Sequence, residues 1–143
     1  HPMMIDSVAR ALSEDSSLSM ATIMRKIEDP LSINDPHVVK VVVDKNNFAL
    51  YFSRAAIPHL AVNSEVESPA YYKHIGLYGY TKDFLFICKN LPPSALEKTE
   101  CLEQLRVLEE GFRIKVIETK YDTVGVDTPQ DLEKLKEYLL KQK

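Results

Sequence analysis

The chain has 143 residues, 45% hydrophobic and 27% charged, enough for one domain that buries about two-thirds of its unfolded surface and too apolar for extended disorder. Its 18 Lys and Arg against 21 Asp and Glu leave a net charge of -3, with both signs scattered along the chain, which argues against a nucleic-acid partner or an anionic membrane surface. No apolar run approaches the ~20 residues of a membrane span, and the opening HPMMIDSVARALSEDS has neither a basic n-region nor a cleavage site, so a cytoplasmic protein is expected.

Near the start, Ile5, Val8, Ala9 and Leu12 recur at i, i+3, i+4 and i+7, which predicts a short amphipathic helix over about 6–12. LSMATIMRKI then alternates as a strand. HVVKVVVD and FALYFSRA are rich in β-branched and aromatic residues and flank Lys45, Asn46 and Asn47. Asn tolerates the left-handed backbone of tight turns, so a hairpin is predicted there. IPHLAVNSEVESPAYY holds no period and reads as a surface loop. KHIGLYGY follows as a strand, and TKDFLFICKN as a short helix stopped by Pro92 and Pro93.

SALEKTECLEQLRVLEEG predicts one continuous helix, capped by Ser94, with Cys101, Leu105 and Leu108 as its apolar stripe and Gly111 after its end. FRIKVIET alternates as a strand. After the loop KYDTVGVD, Thr128, Pro129 and Asp131 predict the start of a last helix whose buried face is Leu132, Leu135, Tyr138 and Leu139. The expected fold is α/β, a single domain over 1–143 with helices packed on a mixed sheet.

Cys88 and Cys101 lie in no zinc-binding array and are read as reduced packing thiols. The four glycines form neither a dinucleotide fingerprint nor a P-loop, and no nucleophile elbow or Cys/His pairing appears. Any nucleotide-phosphate loop therefore lies outside this sequence.

The strand KHIGLYGY is unusual for its polar face. Strict alternation places His74, Gly76, Tyr78 and Tyr80 on one side, and Gly76 would leave a gap between His74 and Tyr78 where a sugar or organic acid can approach. The alternative is a half-exposed face, or one satisfied by core hydrogen bonds. Glu100, Glu103 and Gln104 fall within one helical turn, either as a hydroxyl-binding set or as a solvated face. Asp127 sits between a strand-end loop and a helix start, a place for a metal ligand or merely a cap. Arg54 closes a strand and can clamp a carboxylate or phosphate, or simply lie exposed.

Four segments, NDPHVVKVVVDKNNFALYFSRAAIP, KHIGLYGYTKDFL, LEKTECLEQLRVLEEGFRIKV and VGVDTPQDLEKLKEYL, in this order, closely resemble the C-terminal portion of the 3-deoxy-manno-octulosonate (Kdo) cytidylyltransferases. The resemblance implies a nucleotide-diphospho-sugar transferase-like, Rossmann-like fold. It also implies transfer of a cytidylyl group from CTP to Kdo, giving CMP-Kdo and pyrophosphate for lipopolysaccharide, with Mg²⁺. Carried onto this sequence, His74, Tyr78, Glu103 and Gln104 are the expected sugar-acid set, with Arg54 beside them, and Asp127 is the expected catalytic magnesium ligand. The family's nucleotide-binding part, with its glycine-lysine loop and second metal-binding aspartate, is expected to be missing from this sequence, so the piece alone should be inactive. A homodimer is the expected assembly. Two alternatives stand beside this reading: a cytidylyltransferase for a related sugar acid, and a non-catalytic α/β dimerisation module whose apolar strands VVKVVV and FALYFS meet a second copy.

Overall fold

A computed structural model describes residues 1–66, 68–123, 125–126, 132–133, 135–137 and 140. Helix α1 (Pro2–Glu14) starts on a proline at its first turn, where the missing N–H costs nothing, and runs longer than the predicted 6–12. Strand β1 (Met20–Lys26), a one-turn helix α2 (Leu31–Asn34), β2 (Lys40–Val43) and β3 (Ala49–Ser53) follow. Next come β4 (Tyr72–Tyr80), α3 (Lys82–Asn90), α4 (Ala95–Glu100), α5 (Gln104–Glu109) and β5 (Lys115–Glu118). The sheet order is β3-β2-β4-β1-β5. Among the described residues only β1 and β5 run parallel; β1 pairs antiparallel with β4, and β2 with both β3 and β4. The mixed sheet flanked by helices is the architecture the periodicities predict.

The predicted hairpin is present, with Asn47 at φ 59° in its turn and the Asp44 carboxylate accepting from the backbone N–H groups of Asn46 and Phe48. Strand β1, beside the central β4, is covered on both faces, since every residue from Met20 to Met24 is buried. Its side chains alternate between two cores. Ala21 and Ile23 join Met4, Val8 and Ile75 under α1; Met20 and Met24 join Val41, Phe52, Phe84, Leu102, Leu105, Val107, Ile114 and Val116 on the opposite face.

Two expectations need correction. The helix predicted through Cys101 is broken there: Cys101 adopts φ 54°, ψ 48° as the C-cap of α4 and is exposed rather than packed. The break turns Leu102 into the core and starts α5 in a new direction at Gln104. It is held from outside the segment, because the Glu100 carboxylate accepts from Ser53 Oγ–H at 2.6 Å and from the Arg54 backbone N–H at 2.9 Å. Leu105 is buried as predicted.

The second correction concerns β4, which does not alternate strictly. Ala21 pairs with Gly79 but Ile23 pairs with Ile75, so two residues of β1 span four of β4 and the stretch around Gly76–Tyr78 bulges. Gly76 therefore does not open a gap between His74 and Tyr78. It lines a hollow with His1, Pro2, Met4 and Ile5 on the α1 side, and nothing lies within 4 Å of where its Cβ would be. Gly79 is the glycine that packing requires, as its Cβ would meet Val8 Cγ1 at 2.5 Å and Leu12 Cδ1 at 2.8 Å.

Candidate functional site

On the face of the sheet away from α1, aromatic rings run in an unbroken row. His74 lies edge-on to Phe52 at 5.0 Å, and its centroid is 5.3 Å from Tyr78, which is 6.1 Å from Tyr80; Tyr80 stacks on Phe84 at 6.5 Å. Four residues of straight strand would separate His74 from Tyr78 by about 13 Å, so the bulge is what brings the two rings together.

Tyr78 and Tyr80 form one wall of a cavity of about 470 Å³. Helix α3 contributes Leu85, Cys88 and Lys89, and the α4–α5 corner contributes Cys101 to Gln104, with Arg106 and Val107 behind. The broken helix thus has a function: its αL corner delivers Glu103 and Gln104 side by side to the wall facing Tyr78. Glu103 is exposed at the cavity surface, whereas Gln104 is only 7% accessible. The Gln104 carboxamide makes no hydrogen bond with any described residue, and no fully buried side-chain N or O atom among them is unpaired, so its donor and acceptor stay open to the cavity and to a bound molecule.

Burial sets the protonation of this wall. It pushes the Tyr78 phenol well above its ordinary value, with the Tyr80 and Glu103 charges adding, and raises Tyr80 too, so both hydroxyls stay neutral and able to donate. Burial also raises the Cys88 thiol, which therefore stays protonated. The His74 imidazole is lowered to about 4 by desolvation and is neutral near pH 7. Its Nε2 lies 2.8 Å from Thr22 Oγ1.

Of the predicted residues, the structure brings Tyr78, Glu103 and Gln104 to one cavity and places His74 one ring behind Tyr78. It does not bring Arg54 there. The Arg54 guanidinium donates from Nε to the Glu100 carbonyl and from Nη1 to the Pro36 carbonyl, both at 2.9 Å. Glu100, which the sequence groups with Glu103 and Gln104, is committed to Ser53 and Arg54. Asp127, the expected magnesium ligand, lies outside the described residues, and among the described residues no group of three or more His, Cys, Asp or Glu side chains is arranged to hold a metal ion.

Sequence reasoning missed several residues that shape the site. Arg106 is held by Glu97 through one guanidinium edge, Nη2 donating to Oε1 and Nε to Oε2 at 2.8 Å, and this pair, joined to the Ser94 cap, fixes α5 against α4. The Arg106 hydrogen bonds are the main reason the Glu97 carboxyl sits below its usual range. Lys40, read as one residue of an apolar strand, is fully buried, and its Nζ donates to the carbonyls of Asp35, Val38 and Arg54. Thr22 sits unremarked between Ala21 and Ile23; the only signal for it was its place on the same face as Met20 and Met24.

Sheet order and helix placement define an α/β fold with a solved counterpart: the structure of CMP:2-keto-3-deoxy-manno-octonic acid synthetase complexed with CTP matches the whole chain with a TM-score of 0.89 at 35% identity, over 58% of its own length. The chain belongs to the cytidylyltransferase family, whose model, described as "Cytidylyltransferase", matches residues 1–117. Similar curated proteins are 3-deoxy-manno-octulosonate cytidylyltransferases. The one from Syntrophotalea carbinolica is 49% identical over 144 residues, covering 96% of this chain and 58% of that protein. The one from Solibacter usitatus is 48% identical over 134 residues, covering 94% and 52% respectively. The chain thus spans a little over half the length of the curated relatives it matches.

Proposed function

We propose that this chain is the sugar-acid-binding part of a longer, cytoplasmic cytidylyltransferase that joins CTP to 3-deoxy-manno-octulosonate, releasing pyrophosphate and CMP-Kdo for lipopolysaccharide synthesis. The observation that carries the reading is the Gln104 carboxamide, which belongs to a largely buried residue, lines the cavity with Glu103 and Tyr78 and has no described partner. The names of the relatives supply the substrate, since they act on this eight-carbon sugar acid, and the CTP complex of the similar structure supplies the nucleotide.

The wall suits a polyhydroxylated acid. Glu103 accepts from sugar hydroxyls, the Gln104 amide both donates and accepts, and the Tyr78 hydroxyl donates. The flat Tyr78 and Tyr80 rings give an apolar floor for the C–H edges of the sugar. Holding the sugar rigidly is itself catalytic in an in-line displacement, because attack on the nucleotide's α-phosphorus needs the hydroxyl oriented in advance. Magnesium enters the reading through Asp127 alone, and when bound it would stabilise charge developing on the phosphate. The described residues supply no metal site, so no step is built on it. Arg54 keeps a place in the reading only as a support for the corner next to the cavity. We further propose a homodimer, supported by the exposed Leu50 on β3, an end strand of the sheet whose first residue alone is bonded across to Ile114.

The test is pyrophosphate release from CTP, Mg²⁺ and 3-deoxy-manno-octulosonate by the longer protein that contains this chain. Turnover with this sugar acid in preference to other sugar acids is expected. Preference for a different sugar acid would overturn the substrate assignment, and no turnover with any would overturn the reading as a whole.

A further inference from the structure

We infer that Thr22 is a positioning residue for the site: it fixes the tautomer of His74, holding the ring proton on Nε2 and leaving Nδ1 as a hydrogen-bond acceptor.

Thr22 is the one polar residue in the buried run Met20–Met24, with 0% accessibility, and a buried hydroxyl is costly unless it is bonded. Three groups surround its Oγ1: His74 Nε2 at 2.8 Å, the Leu77 carbonyl at 2.9 Å and the Ile75 carbonyl at 3.4 Å. The hydroxyl has a single proton and the two carbonyls can only accept, so that proton goes to the nearer one, Leu77. Oγ1 then faces Nε2 with its lone pairs, and the short contact is favourable only if Nε2 carries the hydrogen. The opposite tautomer would set a bare ring nitrogen against an oxygen whose proton is already committed.

The bulge explains why a threonine stands here. Thr22 lies between Ala21, which pairs with Gly79, and Ile23, which pairs with Ile75. Its hydroxyl is therefore opposite the residues the register shift takes out of the ladder, and it captures the Leu77 carbonyl there. One side chain closes the bulge that brings His74 beside Tyr78 and also sets the ring's hydrogen-bonding sense. Phe52 and Tyr78, packed on the ring, contribute aromatic faces and no hydrogen bond to it, and Nδ1 makes none to any described residue.

The consequence for the ligand rests on the function proposed above: with Nε2–H committed to Thr22, an acceptor is all that His74 has left for a group reaching it past the Tyr78 ring, which suits a sugar hydroxyl and rejects a carboxylate oxygen. The experiment separates the two claims. Long-range ¹H–¹⁵N spectra report the tautomer of each of the 4 histidines without any ligand, and H74Q identifies the His74 signals by their loss. We expect the pure Nε2–H pattern in the wild-type chain and in T22S, which keeps the hydroxyl, and a mixed or Nδ1–H pattern in T22V, which keeps the shape. Affinity for 3-deoxy-manno-octulosonate should fall about tenfold in T22V, the scale of one lost hydrogen bond, and recover largely in T22S. An Nδ1–H pattern in the wild-type chain overturns the inference whether or not T22V folds, and an unchanged Nε2–H pattern in folded T22V does the same. The expected patterns with no sugar-acid binding by the longer protein would overturn the proposed function while leaving Thr22 as the residue that sets the tautomer.

Discussion

Ser53 Oγ–H donates to Glu100 Oε1 at 2.6 Å, joining the last residue of β3 to the last residue of α4 across 47 positions of sequence. The same carboxylate accepts the Arg54 N–H, and Lys40 holds the Arg54 carbonyl from the other side. These bonds determine where the α4 helix stops, and so where Glu103 and Gln104 point.

Replacing Glu100 with alanine leaves the Ser53 hydroxyl and the Arg54 N–H without their acceptor in a partly buried place. The expected cost is about 2–3 kcal/mol of stability. Urea unfolding of Glu100→Ala and Glu100→Gln checks this, with Gln losing less because its amide oxygen can still accept one of the two bonds. Equal stability of both variants and the wild-type chain would mean that the corner is held by Leu102 burial alone.

The two glycines of β4 should respond in opposite ways. Gly79→Ala drives a methyl against Val8 and Leu12, so a loss of about 1–3 kcal/mol is expected from overpacking. Gly76→Ala meets open space and restricts the unfolded chain, so it should be neutral or stabilise by up to about 1 kcal/mol. Thermal denaturation of the pair distinguishes this from the sequence-based picture, in which Gly76 was the glycine with a purpose.

His74 gives a pH dependence with a definite sign. Its folded pKa of about 4 lies below the ordinary 6.5, so between those values the unfolded chain binds the extra proton. The contribution is complete above pH 6.5, declines as pH falls toward 4, and amounts to a loss on the order of 3 kcal/mol by the lower limit. Carboxylates titrate over part of the same range, so the informative quantity is the difference between the wild-type chain and His74→Gln, measured by urea unfolding at several pH values. That difference should shrink on acidification; a difference independent of pH would show that the ring titrates normally.

Gln104 should separate stability from binding. Because its carboxamide has no described partner, Gln104→Leu is expected to change unfolding free energy by less than about 1 kcal/mol, as exchanging an unbonded polar group for an apolar one of similar size removes no protein contact. Sugar-acid affinity of the longer protein, measured by calorimetry, should drop about tenfold or more. A large stability loss with unchanged affinity would assign Gln104 to the core instead.

The strands, the hairpin turn at Asn47 and α3 were legible in the sequence because each is marked locally, by period, by asparagine or by the prolines that follow. What escaped was set by partners far away in the chain. No residue near Cys101 breaks a helix by itself; Glu100 is drawn to β3 and Leu102 into the core. The β4 bulge is a property of its register with β1, and the segment KHIGLYGY gives no hint of it. Tyr78, Glu103 and Gln104 could be brought together through resemblance, but why they converge depends on that helix break and that bulge. Lys40 and Thr22 were invisible for a similar reason, since each looks like a strand residue until the groups it bonds to are in place.

The central claim is that the cavity between Tyr78 and Gln104 binds the sugar acid, and the most direct measurement is a titration of the longer protein with 3-deoxy-manno-octulosonate, followed by the NMR signals of the His74 and Tyr78 rings and the Gln104 side-chain amide. Saturable shifts concentrated on these groups, and abolished by Gln104→Ala, are predicted. Shifts elsewhere, or none at millimolar sugar acid, would contradict the account.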